Sequence, residues 1–107
     1  MNYEEANKLL GNKQVKRTGE TATTIERLDS TTIGIRYHST IVVRIHADGS
    51  YTLDNGGWQT LTTKKRINKY TPVQIWQEQF TWYLDVDGKI IPFVNGMTIN
   101  PDLIGVK

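Results

Sequence analysis

Between Thr21 and Asp54 apolar and polar residues alternate with a period of two, the pattern of strands that bury one face. In TIGIRYHSTIVVRIHADGSYTL the alternation predicts register as well as strand identity. A loop of His38, Ser39 and Thr40 pairs Tyr37 with Ile41, Ile35 with Val43 and Ile33 with Ile45, so that these apolar residues share one face. A second loop, Ala47-Asp48-Gly49 with Gly49 left-handed in a bulge turn, pairs Ile45 with Tyr51 and Val43 with Leu53. A shorter Asp48-Gly49 turn would set Ile45 against Thr52 and split the apolar face. WYLDVDGKIIPF repeats the pattern, with Val86-Asp87-Gly88 as the loop, Leu84 opposite Ile90 and Asp85 opposite Lys89.

In two places the period lengthens to that of a helix. In NYEEANKLLGN the residues Tyr3, Ala6, Leu9 and Leu10 form one stripe, Glu4 and Glu5 occupy the first turn and Gly11 is a stop, which predicts a helix from Asn2 to about Leu10. In TTKKRINKY, Thr62 or Thr63 serves as N-cap of a helix from about Lys64 to Tyr70, with Ile67 and Tyr70 on the buried side and Pro72 ending it. The stretch from Pro72 to Phe93 reads as further antiparallel strands, and the chain after Asn95 as turn-rich and irregular. The expectation is an α+β fold, mainly an antiparallel β meander and hairpins with a short N-terminal and a short central helix. A single domain over residues 1–107, with an irregular tail from about 95, fits the length.

Composition narrows the function. The chain is 37% hydrophobic and 22% charged, the profile of a globular protein. Thirteen basic against eleven acidic side chains leave a net charge of +2, too small for a global positive field, so any anion site must be local. The absence of cysteine excludes disulfides, thiolate zinc sites and cysteine nucleophiles. No apolar run approaches the roughly 18 to 20 residues of a membrane span, and MNYEEANKLL lacks the basic start and apolar centre of a signal peptide. A cytoplasmic protein without a membrane partner is expected.

An enzyme makes the sharpest demands, and little in the sequence meets them. His38 falls in a predicted turn and His46 on a polar strand face, neither in a metal-ligand spacing. No nucleophile elbow, phosphate-binding loop or dinucleotide fingerprint is present. Asp54 with Asp85, or Glu26 with Glu78, would suit acid–base chemistry if the fold joined them; the ordinary alternative is solvated strand and turn acids. The sequence therefore assigns no catalytic residue, metal or cofactor, and a small enzyme using a carboxylate pair remains a minor alternative.

A binding site has more support. The expected register puts Gly34, Arg36, Val42, Arg44, His46 and Thr52 on the face opposite the core. Gly34 lies across from Arg44, and a glycine there leaves a depression edged by guanidinium, suited to phosphate. Wet faces of antiparallel sheets commonly carry such arginines without a ligand. At the central helix, Thr62, Thr63, Lys64, Lys65 and Arg66 gather hydroxyls and cations where free N–H groups and the positive end of the dipole also lie. Exposed lysines tolerate that conflict unaided, so a solvated helix end is the alternative. Trp58, next to Gly57, is the candidate stacking platform, whereas Trp76, Trp82 and Tyr83 sit in strands and suit packing.

The run GSYTLDNGGWQTLTTKKRINKY, with WYL further on, resembles a family of small proteins from tailed-phage genomes. A D-G turn, a glycine–aromatic step and a T-x-T-T-K-x-R-I-N block recur there; here they are Asp48, Gly49, Gly57, Trp58, Thr60, Thr62, Thr63, Lys64, Arg66, Ile67 and Asn68. The resemblance covers about the middle half of the chain. It implies a phage origin and a role in the infected bacterial host, often as a non-enzymatic binder. The leading expectation is a binding protein whose ligand carries phosphate, a nucleotide or a nucleic acid, held by Thr62, Thr63, Lys64, Arg66, Arg36 and Arg44. The alternative is a module that docks on a host protein to inhibit or redirect it. A homodimer paired through the edge strand PVQIW is also expected.

Overall fold

A computed structural model describes residues 1–101. Helix α1 (Tyr3–Leu10) opens with a reciprocal cap: Asn2 Oδ1 accepts from the Glu5 N–H at 2.9 Å and the Asn2 N–H donates to Glu5 Oε1 at 2.9 Å. Gly11 (φ 58) ends it. The strands β1 (Val15–Arg17), β2 (Thr23–Asp29), β3 (Thr32–Tyr37), β4 (Thr40–His46) and β5 (Tyr51–Leu53) follow, then helix α2 (Leu61–Tyr70), then β6 (Gln74–Glu78), β7 (Thr81–Val86), β8 (Lys89–Pro92) and β9 (Thr98–Ile99). They form a six-stranded antiparallel sheet, β1-β2-β3-β4-β5-β9, and a three-stranded one, β6-β7-β8. The α+β class with β predominant is the one the alternation predicts.

Most of the predicted register is present. Ile33 faces Ile45, Ile35 faces Val43, Ile45 faces Tyr51 and Val43 faces Leu53. The β3–β4 turn differs. Val42 is an extra, unpaired residue, so Arg36 faces Ile41 and Tyr37 faces Thr40 across a His38-Ser39 turn in which His38 is left-handed (φ 55). Strict alternation would have put Val42 on the polar face. The bulge turns it into the core and brings Ile41 over Gly34 instead, burying Ile41, Val42 and Val43 in succession.

The second hairpin also departs from expectation. Val86 faces Lys89, Asp85 faces Ile90 and Leu84 faces Ile91 across a two-residue Asp87-Gly88 turn. Both turn residues are left-handed (φ 52 and 87), which matches the twist of a tight hairpin, and Asp85 accepts the Gly88 N–H at 2.8 Å. Leu84 therefore keeps an apolar partner while Ile90 turns outward, 61% exposed. The tail is not wholly irregular: β9 pairs with β5, with Ile99 opposite Tyr51, and Ile99 is buried. Residues 102–107 of the expected tail lie outside the described residues.

Helix α2 starts three residues earlier than predicted. Thr60 is its N-cap: its Oγ1 accepts from the Thr63 N–H at 3.2 Å and its carbonyl from the Lys64 N–H at 3.2 Å. The buried side is Thr63, Ile67 and Tyr70, and the Thr71 hydroxyl donates to the Ile67 carbonyl at 2.7 Å before Pro72. Lys64 and Lys65 are thus a full turn inside the helix, where the dipole's positive end acts on them weakly.

Asn68 reaches β6 as a neighbouring strand would, donating from Nδ2 to the Ile75 carbonyl at 3.2 Å and accepting the Ile75 N–H at 2.6 Å. The protein's own helix thereby occupies the strand-pairing groups at the centre of the PVQIW edge. Side chains of α1, α2 and both sheets, Leu10, Ile35, Ile67 and Leu84 among them, meet in one buried cluster.

A polar anchor accompanies this core. The Arg66 Nε–H donates to Thr23 Oγ1 at 2.9 Å, its guanidinium lies 3.4 Å from Glu20 Oε2, and its Cζ stands 5.6 Å over the Tyr37 ring. Glu20 also accepts from the Tyr70 hydroxyl, from Thr18 Oγ1 at 3.1 Å and from Lys69 Nζ at 3.1 Å. Burial pushes the Glu20 carboxyl pKa up, but the hydrogen bonds from Tyr70, Lys69 and Thr18, with the Arg66 charge, outweigh it and leave the carboxyl below its ordinary 4.5.

Two outcomes follow for folding. Arg66→Ala lowers stability by about 1–3 kcal/mol, since a charge-assisted network is broken at a side chain only 12% exposed, while Lys65→Ala stays within about 0.5 kcal/mol; urea denaturation measures both. Glu20, with its folded pKa depressed, contributes stability that is fully present above pH 4.5 and is lost as pH falls through the folded value. An acid melt of Glu20→Gln should show less of that loss than the parent.

Candidate functional site

A concavity lies where the β3–β4 turn meets the start of α2. It encloses about 340 Å³, near the lower end of small-ligand pockets, and Tyr37, His38, Thr40, Asn55, Trp58 and Thr63 are among its lining residues. Each wall has a local cause. Val42 lines it because the bulge turns that residue inward. The β5–α2 connection closes the other side as a turn: the Trp58 N–H donates to the Asn55 carbonyl at 2.8 Å and the Gly57 N–H to Asn55 Oδ1 at 2.8 Å. Asn55 is itself held, its N–H donating to Asn95 Oδ1 at 2.7 Å.

Gly56 is the residue this turn depends on. It is left-handed (φ 63), and a Cβ there would run into Thr40 Oγ1 and Cγ2. Gly57 is also left-handed (φ 84), but a Cβ on it would meet nothing within 4 Å. The turn leaves Trp58 67% exposed at the rim while the floor, Val42 and Thr63, is buried. Thr60 and Thr63 share a hydroxyl contact of 3.0 Å at the wall.

The residues expected to hold phosphate are dispersed. Trp58 and Thr63 line the pocket; Thr62, Lys64, Arg66, Arg36 and Arg44 do not. Lys64 Nζ donates to Gln77 Oε1 at 2.9 Å and stands 5.3 Å from the Trp82 ring centre, so it lies toward the second sheet. Arg66 faces the Glu20 cluster. The first-turn N–H groups of Thr63 and Lys64 are already taken by Thr60. Arg36 grips Glu26 with Nε and Nη2, at 2.6 and 3.2 Å, and donates from Nη1 to the Ser39 carbonyl at 3.1 Å. Those hydrogen bonds outweigh burial and hold the Glu26 carboxyl below its ordinary 4.5. Arg44 faces Gly34 as expected, but the depression there is filled by Leu28 and Ile41, whose carbons would lie 2.9 Å from a Cβ on Gly34.

Thr60, His38, Thr40 and Asn55 are among the lining residues absent from the sequence-based site. The Thr63-Ile67-Tyr70 spacing was the available signal for Thr60, because extending that stripe by one turn moves the cap upstream. His46 is partly buried and satisfied at both ring nitrogens, by Thr32 Oγ1 at 3.3 Å and Thr52 Oγ1 at 2.8 Å. Glu26 is paired with Arg36, Glu78 accepts the Trp76 Nε1–H at 3.0 Å, and Asp54 and Asp85 each accept a turn N–H. Among the described residues no group of three or more acid or histidine side chains is placed to hold a metal ion. No helix among them is long and apolar enough to cross a membrane.

Residues 1–100 match the family model described as Kyanoviridae Gp96 protein, and the chain belongs to that phage family, in agreement with the tailed-phage resemblance. No curated protein and no solved structure matches it.

Gly56→Ala should disturb the pocket more than Gly57→Ala. Both substitutions strain a left-handed residue, at about 1 kcal/mol or more, but only the first also drives a methyl into Thr40. Thermal melts give the order, and a change in Trp58 fluorescence reports the turn.

Proposed function

We propose that this member of the Kyanoviridae Gp96 family is a non-enzymatic binding protein of the infected host's cytoplasm, and that its pocket takes a planar heteroaromatic ring of the nucleobase kind. The observation that carries this reading is Trp58, held two-thirds exposed by a tethered turn at the rim of a preformed, mostly apolar cavity. Its indole face is available to one side of a ring, and base–aromatic stacking contributes about 1–3 kcal/mol. The hydroxyls of Ser39 and Thr40 and the His38 ring supply hydrogen-bonding partners at the edge. No lysine or arginine lines the pocket, so the ring is recognised by stacking and hydrogen bonds.

A second reading, docking on a host protein, is favoured by Phe80. It is 87% exposed at the tip of the β6–β7 hairpin, and both turn residues, Gln79 (φ 49) and Phe80 (φ 69), are left-handed without being glycine. On the same hairpin, Trp76 and Tyr83 pair on the outer face of the second sheet with ring centres 6.0 Å apart. This surface is separate from the pocket residues, so the two readings respond to different substitutions.

Titration with nucleosides, followed by Trp fluorescence and by amide shifts, tests the first reading. Shifts should centre on His38, Thr40, Asn55 and Thr63, and Trp58→Ala should weaken binding by about 5- to 150-fold, the equivalent of 1–3 kcal/mol. Absence of any response to the four common nucleosides and their monophosphates would remove it and leave the Phe80 surface as the functional one.

A further inference from the structure

Beside the ring pocket lies a polar groove of about 610 Å³, and His38 lines both. We infer that this groove is a phosphate subsite, built on Arg17 and Arg36, and that the ligand is therefore a nucleotide whose base occupies the Trp58 pocket. The inference rests on the ring reading above and adds the charged half of the ligand.

Sheet register places the two arginines. Arg17 on β1 faces Thr24 on β2, and Thr24 faces Arg36 on β3, so the three residues form one row on one face across adjacent strands. Two strand spacings put the arginine Cα atoms about 10 Å apart, a span that two long guanidinium side chains close readily around a phosphate. Thr24 between them is small and donates its hydroxyl to Glu26 Oε2 at 2.9 Å, the same oxygen that Arg36 Nε holds, so the Arg17 side of the row is the one without a carboxylate partner.

The two arginines are prepared differently. Arg36 is fixed by Glu26 and the Ser39 carbonyl, which orients its guanidinium beside the His38 turn. Arg17 lies on a fully exposed strand and forms no ion pair among the described residues, so its charge is free for a ligand. The carboxylates at the groove are already countered, Glu26 by Arg36 and Glu20 by Arg66 and Lys69. An arriving anion meets Arg17 and Arg36, the two cationic residues that line the groove. On a chain with a net charge of only +2 this is a local concentration of positive charge.

His38 joins the halves. Its N–H donates to the Ala22 carbonyl at 2.9 Å, which holds the loop lining the groove against the turn lining the pocket. A ligand with a ring on one side of His38 and a phosphate on the other fits that arrangement; a free base fills only one cavity and inorganic phosphate only the other.

Calorimetric titration of each nucleoside and its 5′-monophosphate, at low and at physiological salt, tests the assignment on the parent, Arg17→Ala and Lys64→Ala. The monophosphate should bind about 10-fold more tightly than the nucleoside at low salt, with the gain shrinking as salt rises. Arg17→Ala should abolish that gain while leaving nucleoside affinity and the melting temperature unchanged, and Lys64→Ala should leave it intact. Equal affinity for nucleoside and monophosphate in the parent overturns the phosphate subsite and keeps the ring reading. A gain lost in Lys64→Ala but not in Arg17→Ala overturns it in favour of the α2 start. Arg17-dependent binding of monophosphates with no nucleoside binding keeps the groove and overturns the ring pocket, and no binding of either removes both.

Discussion

One extra residue in β4 sets the geometry on which the candidate site depends. Where Val42 is inserted, the alternation of the strand changes phase, so that Val42 enters the core and the residue before it, Ile41, covers Gly34 on the opposite face. The energetic reason is direct: a slipped register without the bulge would expose Val42 or Ile41, each worth about 1.5–3 kcal/mol of burial. The same phase change tightens the turn at His38-Ser39 and places Thr40 against Gly56. The pocket wall, the left-handed glycine that packs on it and the exposed indole two residues later are thus consequences of a single insertion.

The distribution of charge follows a second constraint, the seating of α2. A ten-residue helix buries only Thr63, Ile67 and Tyr70 as a stripe, and its polar sides must reach back to the body. Arg66 and Lys69 do so through Glu20, Lys64 through Gln77 and the Trp82 ring, and Asn68 through the backbone of Ile75. Cations that look like a cluster in sequence therefore point in different directions around the helix, because residues two positions apart do not share a face. What reads as an anion site is largely the means by which the helix is held. The row Arg17–Thr24–Arg36 has the reverse character: its members are distant in sequence and adjacent in the sheet.

Polar continuity across the large sheet adds rigidity on its outer face. Thr32, His46, Thr52 and Thr98 hydrogen-bond in turn across β3, β4, β5 and β9, with contacts of 3.3, 2.8 and 2.8 Å. This chain ties β9 to the meander alongside the burial of Ile99. It also occupies both nitrogens of His46, which accounts for that histidine by structure without a metal.

Sequence by itself determined most of the elements, though not the short strands at Val15–Arg17 and Thr98–Ile99, and most of the registers. The α+β class, the extent and stop of α1, the loop at Ala47-Asp48-Gly49 and the pairings Ile33–Ile45, Ile35–Val43, Ile45–Tyr51 and Val43–Leu53 are local matters of periodicity, turn chemistry and the requirement that one face be apolar. Trp58 as an exposed ring beside a glycine turn was legible for the same reason. Tertiary structure alone decided the bulge at Val42, the start of α2 at Thr60 and the strand at Thr98-Ile99. A bulge is chosen by packing on both faces at once, a cap by which residues the helix must bury, and a two-residue strand by an edge that lies far away in sequence. Arg66 is the clearest instance. Nothing local distinguishes a cation that binds a ligand from one that meets Glu20, Thr23 and Tyr37, because all three partners arrive from other elements and only the fold brings them to it.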